Sequence, residues 1–144
     1  MLSTSLSLSR VIRAPREAVF AAWTDPELLK QWWGPGATTC PEAHVDLRVG
    51  GTYRLANLET DGSITWISGQ FERIRAPEEL VYTWKIGSGP GEPTLVRVAF
   101  LEHREGTELR LTHERFTSEA SRDMHISGWG GCVDKLVALL AAGA

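Results

Sequence analysis

The chain is short of several features that would have pointed to a chemistry at once. Its 144 residues include only two cysteines, Cys40 and Cys132, which form neither a close pair nor a metal-ligand spacing. Two distant thiols in a chain with no secretion signal are expected to stay reduced and unbonded. Basic charge is also scarce: 15 Lys+Arg against 18 Asp+Glu give a formal net charge of -3, with no surplus to neutralise phosphates. Nucleic acid is therefore not an expected partner. No apolar run approaches the roughly 20 residues of a membrane-spanning helix. The stretch from Ser5 to Ile12 alternates apolar and polar residues, a strand pattern rather than that of a signal peptide. A cytoplasmic setting without membrane contact is expected. The G-x-S-x-G elbow, the H-E-x-x-H helix, the phosphate loop and the dinucleotide fingerprint are missing as well, so no standard catalytic motif is legible and no cofactor or metal is expected. Gly87 to Gly91 is glycine-rich but carries no lysine, and it reads as a flexible hairpin loop.

Against these absences stand six tryptophans. Large amphipathic rings lose little conformational entropy for the area they bury, so such a chain builds a heavy aromatic core or an aromatic-lined ligand space. With 42% hydrophobic and 23% charged residues, the composition is that of one globular domain over 1–144. After the first strand, Ala14-Pro15-Arg16-Glu17 turns to helical chemistry, and Thr24-Asp25-Pro26-Glu27 offers a cap and a proline for a second, short helix. Gly34-Pro35-Gly36 ends it. Strand-like runs follow near Thr38 to Arg48, Thr52 to Leu58, Ser63 to Arg73, Glu79 to Ile86, Leu95 to His103 and Thr107 to Phe116, punctuated by turn pairs such as Asp61-Gly62. Thr117-Ser118-Glu119 then caps a long helix to about Ala141, with His125, Gly128, Trp129, Cys132, Leu136 and Leu140 at helical spacing. The order predicts an α+β fold in which a curved antiparallel sheet buries one face against the terminal helix.

Ala14-Pro15, the run from Val19 to Glu27, Trp32-Trp33-Gly34-Pro35, the run from Asp46 to Tyr53, Leu80 to Trp84 and Ser127-Gly128-Trp129 together resemble one family. It is the C-terminal-domain-like family of the activator of the 90-kDa heat-shock protein ATPase, within the START-related SRPBCC superfamily that also resembles the birch-pollen allergen. The likeness runs from about Leu6 to Leu140. It implies a helix-grip fold with a cavity between sheet and helix, and it transfers no catalytic motif. The activator itself resembles a two-domain protein that makes much of its chaperone contact through a separate N-terminal domain. This chain opens on the first strand of the grip, so chaperone contact is a minor expectation.

Candidate site residues follow from placement. Alternation puts His113 on the face of Leu109 and Leu111, and His125 opens the inward stripe of the helix. Either could orient a polar ligand group or act as a general base, although a hydrogen-bonded core histidine is the plainer reading. Tyr53, Trp66, Trp84, Phe100 and Trp129 come from elements expected to surround the central space, whereas Val19, Phe20 and Trp23 are expected to be packing. Asp46 and Arg48 share a strand face and are expected to pair with charges on a neighbouring strand, and Glu114 with Arg115 reads as a solvated pair. The leading expectation is a binding domain with a mostly apolar pocket of roughly 300 to 1,000 Å³ for a small apolar or aromatic molecule. An enzyme of cyclase or hydrolase type is the alternative, and a regulator acting on a chaperone or other protein the third. Homodimer formation is left open.

Overall fold

The computed structural model describes residues 4–87 and 91–141. Its elements are β1 (Thr4–Ile12), α1 (Arg16–Thr24), α2 (Pro26–Trp32), β2 (Ala43–Val45), β3 (Thr52–Leu58), β4 (Ile64–Arg75), β5 (Glu79–Ile86), β6 (Thr94–His103), β7 (Gly106–Phe116) and α3 (Glu119–Ala141). The strands form one antiparallel sheet in the order β1-β7-β6-β5-β4-β3-β2, a meander from β2 to β7 to which β1 returns. With α3 lying on its concave face, this is the expected α+β helix-grip arrangement. Residues 88–90 of the glycine-rich stretch lie outside the described residues, and β5 and β6 on either side of it pair as a hairpin would.

Local chemistry sets the helix boundaries. Asp25 accepts a hydrogen bond from the Glu27 amide at 2.9 Å and caps α2, whose first residue is Pro26. The proline has no N–H to satisfy at that position. Ser118 Oγ accepts from the Ser121 amide at 3.1 Å and opens α3. The inward stripe of α3 is His125, Trp129, Cys132, Val133, Leu136 and Leu140. Close backbone contacts tie α3 to β1, β7 and α2, so the helix lies over one side of the sheet. None of the helices of the described residues is long and apolar enough to cross a membrane.

One strand differs from expectation. The run from Thr38 to Arg48 contributes only the short β2, plus a single bridge between Thr39 and Leu58. Pro41 cannot donate to a ladder. Beyond Val45 the chain turns on itself, with Arg48 N to Asp46 O at 2.9 Å and Gly51 N to Arg48 O at 2.8 Å. The turn also changes the expected ion pairing: Arg48 Nε meets Asp46 Oδ2 of its own loop at 2.9 Å rather than a neighbouring strand. Glu114 pairs with Arg97 across the β6–β7 ladder, not with Arg115. Cys40 and Cys132 are both buried and unbonded.

Candidate functional site

The concave face has two unlike ends. Toward α1 and α2, Trp23 Nε1 donates to Tyr82 Oη at 3.1 Å, and Tyr53 Oη donates to Thr83 O at 2.6 Å. Phe100 meets Phe20 and Trp23 edge to face with centroids 5.5 and 6.1 Å apart. The backbone of Gly69 passes so close to Thr83 that a Cβ would lie 1.8 Å from its carbonyl oxygen, and the ring of Tyr53 lies against the same spot. Between Trp23, Trp33, Tyr53, Phe71 and Tyr82 only about 20 Å³ stays open. That is room for about one water.

At the other end, the first half of α3 stands off β3, β4 and β5, leaving a cleft of about 340 Å³. Trp33, Trp84 and Trp129 form much of its wall, with Ile67, Pro35, Cys132 and Gly128 beside them; Ile86 and Met124 lie at its edge, 42% and 60% exposed. The polar groups are Asn57, Glu59, Thr65 and His125. The three indoles stand close together, with Trp84 and Trp129 centroids 5.0 Å apart and Trp33 5.4 Å from Trp129.

Each of these indoles spends its N–H on a side-chain acceptor: Trp33 on Asn57 Oδ1 at 2.9 Å, Trp84 on His125 Nε2 at 3.2 Å and Trp129 on His113 Nδ1 at 3.0 Å. An indole only donates, so each histidine nitrogen it meets must carry a lone pair, which fixes both tautomers. His125 then holds its proton on Nδ1 and donates to Ser121 O at 2.7 Å. His113 holds its proton on Nε2 and donates to Thr94 Oγ1 at 2.6 Å, and Thr94 passes its own hydrogen to Trp84 O at 3.2 Å. The two rings lie 5.1 Å apart. Burial, and secondarily the charge His125 would carry, pushes His113 down to about 3. Burial also lowers His125, against the opposing pull of the Ser121 carbonyl. Both imidazoles are neutral at pH 7, and in this arrangement neither keeps a nitrogen for a ligand or a substrate proton.

The residues singled out from sequence therefore separate. Trp84, Trp129 and His125 line the cleft, while His113 is fully buried and braces Trp129 from behind. Tyr53 belongs to the filled end. Phe100, fully buried against Phe20 and Trp23, borders no open space. Trp66 lies on the opposite face of the sheet, with the Arg54 guanidinium 4.2 Å above its ring. It neighbours inward-facing Ile67, so strand alternation turns it outward. His44, exposed on β2, pairs with Glu42 rather than with His113 or His125. No group of three or more potential metal ligands occurs among the described residues.

Sequence reasoning did not single out Trp33, Asn57 and Glu59 as cleft residues. Asn57 left a readable sign: alternation puts it on the face of Tyr53 and Leu55, and a polar residue on a buried face needs a reason. Trp33 follows Trp32 at the end of α2, where the backbone leaves helical geometry and the two rings diverge. Trp32 turns its N–H to Ala22 O at 2.9 Å, and Trp33 turns toward the cleft.

The fold recurs in solved structures. The AHSA1 protein of Silicibacter pomeroyi is 26% identical over 98% of this chain and 100% of that chain, with a TM-score of 0.88. A Chromobacterium violaceum protein is 25% identical over 94% and 96%, with a TM-score of 0.85. The AHSA1-like protein of Aeromonas hydrophila is 25% identical over 97% and 94%, with a TM-score of 0.82. Among proteins of curated function, none matches. The family model of the activator of Hsp90 ATPase homolog 1-like protein matches residues 13–141, and with that span the chain belongs to this family.

Proposed function

We propose that the chain is a binding domain that takes a small, mostly apolar molecule into the cleft between α3 and strands β3 to β5. The observation that carries this reading is Gly128. Glycine inside a helix costs about 1 kcal/mol relative to alanine, yet a Cβ at this position would meet nothing within 4 Å. No packing demands its absence, and the residue borders the cleft. The smallest side chain at that point keeps space open for something else. The walls suit an apolar guest, because all three indole N–H groups are already satisfied and the rings offer mainly carbon surface. Burial of about 200 Å² of apolar ligand surface contributes about 5 kcal/mol before the costs of association.

The enzyme reading loses support, since its proposed acid and base would be histidines whose nitrogens are all engaged. Titration of the intrinsic tryptophan fluorescence with phenylbutanol tests the binding reading. Wild type is expected to show a saturable change, and Gly128→Leu, which fills the cleft from the helix, is expected to lose it without a fall in its thermal midpoint. Equal binding by both proteins, or by neither, would place the function elsewhere.

A further inference from the structure

The polar groups of the cleft also differ in what they have left to offer. Asn57 Oδ1 is taken by Trp33, so its amide nitrogen, which has no partner among the described residues, is the part that remains. His125 has both nitrogens engaged. Burial pushes the Cys132 thiol up to about 11, so it is neutral. Glu59 is different. It lies just beyond β3, half-buried, and its Oε1 accepts from Thr38 Oγ1 at 3.0 Å. Oε2 has no partner, and the carboxylate forms no salt bridge, among the described residues. The Lys135 ammonium reaches the same threonine but is held on its backbone carbonyl at 2.8 Å, and Lys135 is not one of the residues bordering the cleft. The cleft therefore carries one carboxylate and three indoles in the same wall, with no cation among the residues that line it.

Resting on the reading of the cleft as a binding site, we propose that it selects small organic cations. The ligand class is an amine whose apolar body lies against Trp33, Trp84 and Trp129 and whose ammonium is held at Glu59. Indole faces attract cations through their quadrupole, and the effect grows as the cation is desolvated. A carboxylate accepts ammonium hydrogens in short charge-assisted bonds. A carboxylic acid of the same shape would instead bring like charge against Glu59, with only the Asn57 amide and the Thr65 hydroxyl as donors.

Three ligands of one shape test this by isothermal titration calorimetry: phenylbutylamine, phenylbutanol and phenylbutyrate. Each is titrated into the full chain as wild type, Glu59→Gln and Gly128→Leu. Glutamine keeps an acceptor for Thr38, and thermal midpoints check that each variant folds. The amine is expected to bind wild type about tenfold tighter than the alcohol, with the acid weakest and the preference shrinking as salt is raised. Glu59→Gln is expected to bring the amine down to the level of the alcohol and leave the alcohol unchanged. If the alcohol binds and is lost in Gly128→Leu while the amine binds no tighter, or if Glu59→Gln keeps the amine preference, cation selection is wrong and the cleft reading stands. If none of the three binds wild type, or all bind Gly128→Leu equally, both are overturned.

Discussion

At one end of the concave face, Trp23, Tyr53, Phe71 and Tyr82 interlock around about 20 Å³ of void that Trp33 also borders; at the other, Trp33, Trp84 and Trp129 stand around a cleft of about 340 Å³. The two ends share residue types and differ in what holds the rings. In the filled end, aromatic edges meet aromatic faces, as where Tyr53 and Tyr82 lie 5.1 Å apart at 79°, and the polar tips are tied to one another or to backbone. In the open end, each indole is fastened at its N–H to Asn57, His125 or His113. A directional bond fixes a ring's plane at either end, as for Trp23 on Tyr82. Aromatic content therefore neither makes nor fills a cavity by itself; Tyr53, Phe71 and Tyr82 from β3, β4 and β5 pack on one another, whereas the first half of α3 stands off those strands beside Trp84 and Trp129.

The contrast can be broken most forcefully at the filled end. Phe100→Ala is expected to lower stability by about 3 to 5 kcal/mol, because its neighbours are close-packed and cannot relax into the space. Urea denaturation checks this, and a loss below about 1 kcal/mol would show that this end is no better packed than the other.

Acid should attack the open end next. The His113 pKa is about 3 in the fold, below the roughly 6.5 of an unfolded histidine, so the unfolded chain binds the proton first. Stability is therefore full above about pH 6.5 and falls as pH drops through the window toward 3, by about 1.4 kcal/mol per pH unit for this group. By pH 5 the loss from His113 is about 2 kcal/mol, and His125, also lowered, adds in the same direction. Denaturation midpoints at pH 7, 6 and 5 measure it; a flat profile would mean that the two imidazoles are not held buried and neutral in solution.

Trp84→Phe sharpens the contrast further by keeping the ring and deleting the donor. His125 Nε2 is then left without a partner, at a cost of about 1 to 3 kcal/mol. With its lone pair free to take a proton, His125 should titrate at higher pH in the variant, as followed by its imidazole proton resonances. An unchanged titration would mean the bond does not control the tautomer.

The smallest effect has the opposite sign. Gly128→Ala is expected to stabilise the protein by about 1 kcal/mol, the helix-propensity difference, since its Cβ enters open space. Gly131→Ala, whose Cβ would lie 3.1 Å from Pro35 Cβ, should gain less or nothing. Equal thermal shifts for the pair would erase the distinction between a packed and an open face of α3.

How much of this was legible varies with the range of the interaction. The boundaries of β5 and α3 follow from periodicity and caps, and the inward face of His113 from alternation with Leu109 and Leu111. These are local properties with periods of two and about 3.6 residues. Strand β2 is where local reading failed, because a β-rich run said nothing of the turn by which Arg48 and Gly51 bond back along the chain. Trp66 was misplaced because its neighbours offer both parities, and only the ladder to β3 shows which face Ile67 and Trp66 take.

Sequence by itself thus determined the order of elements, the antiparallel meander, the stripe that α3 buries and the family, all of which are written in residue spacing. Tertiary structure decided which aromatic rings became packing and which became wall. Trp33, Trp84 and Trp129 meet from α2's end, β5 and α3, and their acceptors Asn57, His125 and His113 come from β3, α3 and β7. No spacing encodes a bond between residues 24, 41 or 16 positions apart. Whether an indole becomes packing or wall depends on where the sheet's curvature carries each strand, and that is set only when the whole sheet closes on the helix.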